Sequence, residues 1–276
     1  MPKKKRSNII ITIIGILLAA IFLSPFYLVL TNSFKTQKGI FIDVLSLPFG
    51  SYFTLENYKE AFIQLKFLHS FKNSLLITIF STLLLAIFAS MAAWMLVRTK
   101  TWYSQFIFFL FAASMLIPFQ SVMLPLINIM GRLNMLRPTG LVFMYIGFGA
   151  SLSVMLYHGF IKGIPIAIEE AAIIDGCNIF QVFWKVVYPL LRPTTMTVVI
   201  LNAMWIWNDF LLPQLVINKP EWHTIPLRMF YFFGQYSKKW NLALAGLLIS
   251  MIPIIVFYLG AQKYIIQGVT EGSIKS

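Results

Sequence analysis

Six apolar runs, each long enough to cross a bilayer, constrain this chain more than any other feature of its sequence. They cover residues 9–30, 73–97, 104–127, 141–161, 194–217 and 241–262. A hydrocarbon core about 30 Å thick needs on the order of 20 apolar residues per helical crossing. Lipid offers no partner to an unpaired backbone N–H or C=O, so runs of this length predict helices. Composition agrees: of 276 residues 59% are hydrophobic and only 11% charged, against roughly 25% charged in a soluble domain. The expected fold is all-α, a polytopic membrane protein with six transmembrane helices, read as a single domain over 1–276. The first run follows Lys3-Lys4-Lys5-Arg6, as a signal peptide would. It is too long for one, however, no small-residue cleavage site follows, and Pro25-Phe26-Tyr27 continues it. It is read as a retained helix.

The formal charge is +13, from 22 Lys and Arg against 9 Asp and Glu. In a soluble chain that excess would point to nucleic acid. Here the basic residues lie between apolar runs, so membrane lipid is the expected partner and nucleic acid is not. With the N-terminus inside, eleven basic residues fall on each side of the membrane, so a raw tally sets no orientation. The cluster Lys3–Arg6 does, because basic residues ahead of the first helix favour the cytoplasm. Both termini are therefore expected to be cytoplasmic. The single cysteine, Cys177, excludes an internal disulfide. No Gly-x-x-x-x-Gly-Lys-Ser/Thr phosphate cradle occurs. His69, His158 and His223 lack ligand spacing, and no nucleophile–base set is evident. The chain is expected to be no enzyme, with no metal and no cofactor of its own.

The connection between the fourth and fifth runs, residues 162–193, is too long for a simple turn. Pro165 suits the first turn of a helix. Glu169, Glu170, Ala171, Ala172 and Asp175 follow, rich in helix formers. Gly176 suits a left-handed C-cap, and Asn178 suits the N-cap of a second short helix ending before Pro189. The reading is helix, turn, helix on the cytoplasmic face. Ile166, Ala171, Ile173 and Ile174 make the first helix more apolar than a solvated loop requires, so it wants a partner. No half-repeat of the kind that builds self-sufficient secondary transporters is apparent. One chain looks like half of an assembly.

These residues carry a resemblance. Glu170-Ala171-Ala172, three residues, Gly176, nine residues, then Val186-Val187-Tyr188-Pro189 resemble the cytoplasmic signature of permease subunits of bacterial ATP-binding-cassette importers. The family reads Ile-x-Leu-Pro where this chain has Val186, Val187, Tyr188 and Pro189. Shorter segments extend the likeness: Ile117-Pro118-Phe119-Gln120 with Pro125-Leu126, Trp207-Asn208-Asp209-Phe210, Thr224-Ile225-Pro226-Leu227, and Gly268 and Gly272 with Lys275. Together they are similar to the maltose-type carbohydrate subgroup, and within it to the smaller permease of a heterodimer, as in maltodextrin, raffinose-type and multiple-sugar systems.

The resemblance implies a subunit of an ATP-driven, binding-protein-dependent sugar importer in the bacterial inner membrane. It implies a second homologous permease, two ATPase subunits that hold ATP and Mg, and an extracytoplasmic sugar-binding protein. It makes residues 165–175 a coupling helix that docks into an ATPase groove, with Glu169 and Glu170 facing basic residues there and Gly176 setting the angle to the second helix. Alternatives are a permease for glycerol phosphate or another polar solute in the same importer class, and an ion-coupled secondary transporter.

Polar residues inside spans are costly and so informative. Asp209 is the one acid placed within a run, with Asn202, Asn208, Trp205 and Trp207 near it. Asn202, Trp205 and Asp209 fall at three- and four-residue spacing, on one helix face. Such a mixture suits a sugar path, since aromatic faces stack on pyranose C–H surfaces while amides and carboxylates bond hydroxyls. Equally, Asn208 and Asp209 can cap a helix end, with Trp205 an interfacial anchor. Gln120 and Asn128 are weaker path candidates. Small residues at four-residue spacing, Ala86 and Ser90, Ala89 and Ala93, Gly147 and Ser151, Gly149 and Ser153, Gly246 and Ser250, mark close helix approach within the chain or across to another.

Overall fold

The computed structural model describes residues 2–234 and 238–273; Met1, Ser276 and the Lys275 of the C-terminal motif lie outside the described residues. The helices run α1 (Pro2–Ser33), α2 (Gln37–Ile42), α3 (Glu56–Gln64), α4 (Phe67–Arg98), α5 (Trp102–Ser114), α6 (Phe119–Arg132) and α7 (Pro138–Lys162). After them come α8 (Ala167–Ile174), α9 (Ile179–Val182), α10 (Tyr188–Leu190), α11 (Arg192–Asn208), α12 (Leu211–Val216), α13 (Ile225–Met229) and α14 (Trp240–Ser273). Among the described residues there is no strand, only two isolated bridges, Lys35 with Phe53 and Phe233 with Lys238. The fold is all-α and polytopic.

Four helices are long and apolar enough to cross a membrane, in α1, α4, α7 and α14, and up to six if each of two bent pairs counts as one span. The third run was expected to be one helix and is not. Its halves α5 and α6 meet at 106°, because Pro118 caps α6 in extended conformation and cannot continue α5. The fifth run is likewise interrupted. Asp209, with φ −71° and ψ 131°, ends α11, and α12 starts afresh at Leu211. Asp209 therefore caps the end of α11 rather than lying inside a span.

The chain divides into two compact units. In the first, Met1–Phe67 with Arg228–Ile252, the apolar body of α1 is exposed all round, as expected of a helix facing lipid or another chain. Ala61, Leu65, Phe232, Leu242, Ala243 and Ala245 form its core. Asn57 pins the turn after α1 by donating to the carbonyls of Ser33 and Lys35, both at 2.8 Å, and it accepts from Asn241 at 2.8 Å.

The second unit, Leu68–Leu227 with Pro253–Ser276, is built on α4, α7 and α11. One cluster gathers Leu85, Ala89 and Trp94 of α4, Val154 and Tyr157 of α7, and Phe183 and Val187 from the connection. A second holds Ile77, Leu141, Met144, Tyr145, Ile206 and Leu212. Helices α7 and α11 run antiparallel and share three polar rungs. Tyr145 donates to Asp209 Oδ2 at 2.9 Å, Asn202 donates to Ser153 at 3.1 Å, and Tyr157 donates to Thr195 at 3.0 Å. Between spans such bonds average about 0.6 kcal/mol each and set register more than strength. Gly149 lets the helices close: a Cβ there would meet Leu85 Cδ2 at 2.6 Å and Asn202 Oδ1 at 2.8 Å.

Candidate functional site

Two regions hold the residues singled out from the sequence. The first is the connection between α7 and α11. Glu169, Glu170, Ala171 and Ala172 lie on α8, preceded by Pro165. At its C-terminal end Gly176 adopts φ +86°. The N–H of Gly176 bonds to the carbonyl of Ile173, and that of Cys177 to Ala172, both at 3.0 Å. This is the Schellman arrangement, which needs a left-handed residue at Gly176. Asn178 then opens α9 with a reciprocal capping box: its side chain accepts from the Gln181 N–H at 3.0 Å, and Gln181 accepts from the Asn178 N–H at 2.9 Å.

The second short helix does not end before Pro189, as its sequence suggested. It passes through a π-helical stretch, Phe183–Val187, and runs on through Pro189 to Leu190. Widened turns of this kind relax the clash and the missing N–H that proline imposes. A 75° bend at Leu191 then leads into α11.

The two faces of α8 differ. Its inner face carries Glu169, whose side chain is only 7% exposed. Arg98, the last residue of α4, donates to Glu169 Oε1 from Nη2 at 2.6 Å and from Nε at 2.9 Å, and Trp94 Nε1 donates to Oε2 at 2.9 Å. A further bond joins Arg98 to the Ile164 carbonyl at 3.0 Å. Glu169 was expected to face a partner; instead both its oxygens are engaged inside the chain. The outer face presents Glu170 and Asp175, with Ile173 58% and Ile174 86% exposed. Phe180 of α9 is exposed too.

The second region is the end of α11. Asn202 is buried and turned toward α7; besides Ser153 its amide donates to the Val198 carbonyl at 2.8 Å. Trp205 is exposed on its outer side and meets Tyr145 edge-on, ring centres 5.5 Å apart. Asn208 is exposed and donates to the Met204 carbonyl at 2.7 Å. Asp209 accepts from the Leu211 N–H at 3.0 Å as well as from Tyr145. Gln120 is exposed in the first turn of α6, away in sequence and just past the Pro118 break. The expected single face of Asn202, Trp205 and Asp209 is thus divided: Asn202 braces, Trp205 faces outward, and Asp209 caps. Tyr145 joins Trp205 and Asp209 and was not singled out from the sequence. Its only advance signal was a phenol in an apolar run, whose hydroxyl must find a partner.

Among the described residues no group of His, Cys, Asp and Glu is arranged to hold a metal ion. His158 stacks on Phe108, ring centres 3.8 Å apart. His69 and Asn73 bond the Glu221 carbonyl.

Comparison with known proteins gives the same answer along the whole chain. It is 49% identical over 275 residues to a probable starch degradation products transport system permease protein of Thermoanaerobacterium thermosulfurigenes, covering 100% of each chain. It is 35% identical to the melibiose/raffinose/stachyose import permease of Bacillus subtilis, covering 99% of this chain and 98% of that one. Among solved structures, a chain of a bacterial ABC transporter involved in the import of the acidic polysaccharide alginate shares the fold. That match has a TM-score of 0.79 at 23% identity, over 96% of this chain and 98% of the other. Residues 83–271, which include both regions described above, match a single family. By that match and by its full-length relatives, the chain belongs to the binding-protein-dependent transport system inner membrane components, the permease subunits of ABC importers.

Proposed function

We propose that this chain is the smaller permease subunit of an ATP-driven sugar importer, and that it takes up oligosaccharides delivered by an extracytoplasmic binding protein. Support for the substrate class comes from the relatives, which are named for starch degradation products, for melibiose, raffinose and stachyose, and for multiple sugars. In this reading the chain works as one permease domain and pairs with a second, homologous permease. Two ATPase subunits hold ATP and Mg on the cytoplasmic side, where both chain termini also lie.

The two-faced α8 carries the coupling part of the proposal. An exposed Ile173–Ile174 edge beside Glu170 is a surface that wants to be covered, and its small Ala171 permits close approach. Behind it, Arg98 and Trp94 tie the same helix to α4, so a push on α8 reaches a membrane helix. Trp205, Asn208 and Asp209, with Gln120, are proposed to border the sugar path. Asn202 holds α11 in place behind them.

The test is purification of the intact complex through a tag on this chain, followed by reconstitution in vesicles with the binding protein. ATP hydrolysis and uptake are then measured with starch-derived oligosaccharides, raffinose-type sugars and glycerol phosphate. Stimulation by one neutral oligosaccharide class supports the proposal. Stimulation by glycerol phosphate alone, or uptake driven by an ion gradient without ATP, would overturn it.

A further inference from the structure

Past the end of α1 the chain makes an excursion with an unusual set of anchors. At both ends it is fastened at the level of the α1 terminus. The Lys35 ammonium, buried, donates to the Asp43 carbonyl at 2.9 Å, and on the way back the Thr36 N–H donates to the Tyr52 carbonyl at 2.8 Å. Between these points the chain descends along α1. Asn32 donates to the Val44 carbonyl at 2.9 Å, and the Tyr27 hydroxyl donates to the Leu45 carbonyl at 2.7 Å. Tyr27 lies six residues before the end of α1 at Ser33, so at 1.5 Å per residue its Cα is about 9 Å back along that helix, and its hydroxyl holds Leu45 alongside this last stretch. Tyr27 is inside the stretch Ile11–Ser33, which is long and apolar enough to cross a membrane.

Three consecutive carbonyls, of Asp43, Val44 and Leu45, are thus each bonded by a side chain of α1 or, in the case of Lys35, of the turn just after it. A loop in water needs no such provision, because water satisfies its carbonyls; irregular backbone at membrane depth does need it. The side chains agree. Residues 44–51 carry no charge. Asp43, at the upper edge, has one carboxylate oxygen accepting from the Leu45 and Ser46 N–H groups at 2.9 and 3.1 Å. Leu45 and Phe49 are 70% and 77% exposed, and they extend the bare apolar surface of α1. Beside them Leu28, Ile40, Val44 and Leu244 line an apolar cleft of about 370 Å³.

We propose that residues 44–49 form a re-entrant dip into the bilayer leaflet at the C-terminal end of α1, with Leu45 and Phe49 among lipid acyl chains. The dip rests on α1 being a span and not on which sugar is carried. It anchors the segment between α1 and α3 at a set depth, with Lys35 and Asp43 marking the polar boundary.

The test uses the assembled importer in lipid vesicles, in a Cys177→Ser background, with single nitroxide labels at Leu45→Cys, Phe49→Cys and, as a solvent control, Lys59→Cys. Collision with dissolved oxygen, which partitions into acyl chains, is compared with collision with a water-soluble nickel chelate. The expected result is an oxygen-to-nickel ratio at positions 45 and 49 several-fold above that at 59. A ratio equal to the control would place the segment in water and overturn the proposal. Labels immobilised and shielded from both reagents would overturn it too, since a protein partner would then cover the surface.

Discussion

Arg98, at the end of one membrane helix, and Glu169, in the helix of the following connection, form an ion pair at 2.6 Å that is largely closed to solvent. Trp94 donates to the second carboxylate oxygen, so both oxygens are engaged within the chain. The pair ties α8 to the end of α4. It also divides the labour of two adjacent acids: Glu169 faces in, and Glu170, about 100° further round the helix, faces out.

Removing one member leaves the other without its ion partner, which costs up to about 3–5 kcal/mol for a buried charge; Arg98 still keeps its bond to the Ile164 carbonyl, so the cost of losing Glu169 falls below that ceiling. Glu169→Ala is therefore expected to lower the thermal midpoint of the complex and to abolish sugar-stimulated ATP hydrolysis. The Arg98→Ala, Glu169→Ala double variant should be less destabilised than the sum of the two singles. A double-mutant cycle on thermal midpoints measures the coupling, and additivity would show that the two side chains do not act as a pair.

Glu170→Lys should behave differently, because its side chain is exposed. The chain should insert and pair normally, while co-purification of the ATPase falls and uptake with it. Unchanged attachment and uptake would mean that Glu170 has no coupling role.

Gly176→Val forces a Cβ into φ +86°, at a cost of roughly 1–2 kcal/mol. Nothing lies within 4 Å of that Cβ, so the effect is on backbone angle rather than on packing. The expected outcome is misdirected α8, seen as ATP hydrolysis that no longer responds to sugar. Gly176→Asn, which tolerates the left-handed region, should restore part of the response.

Two glycines two residues apart provide a matched pair. A Cβ at Gly149 collides with Leu85 and Asn202, whereas one at Gly147 meets nothing within 4 Å. Gly149→Ala should destabilise the chain by about 1–3 kcal/mol, read as a lower midpoint and reduced yield. Gly147→Ala should leave the subunit's own stability intact; if it nevertheless weakens recovery of the second permease, Gly147 marks the contact between the two.

Tyr145→Phe removes the hydroxyl that donates to Asp209 Oδ2. If the end of α11 borders the sugar path, Tyr145→Phe and Asp209→Leu should both reduce uptake while complexes assemble at normal yield. Lost assembly with normal transport per surviving complex would assign the pair to bracing alone.

Much of this was legible in the sequence alone. Spans show in sequence because lipid admits only long apolar helices, and four appear with little change in their bounds. The connection was equally legible, since Gly176 and Asn178 act on their own backbone through conformational preference and local bonds. What sequence could not supply was direction. Periodicity put Asn202, Trp205 and Asp209 on one face, yet Asp209 leaves the helix and Asn202 turns to Ser153. Which polar group finds which partner depends on how α7 and α11 register, and on the close approach that Gly149 leaves room for. Glu169 makes the same point. Its type and spacing suited an exposed acid, and only the arrival of Arg98 and Trp94 from a helix some seventy residues earlier buried it. Local chemistry is written residue by residue, whereas the partner of a buried charge is a property of the whole fold.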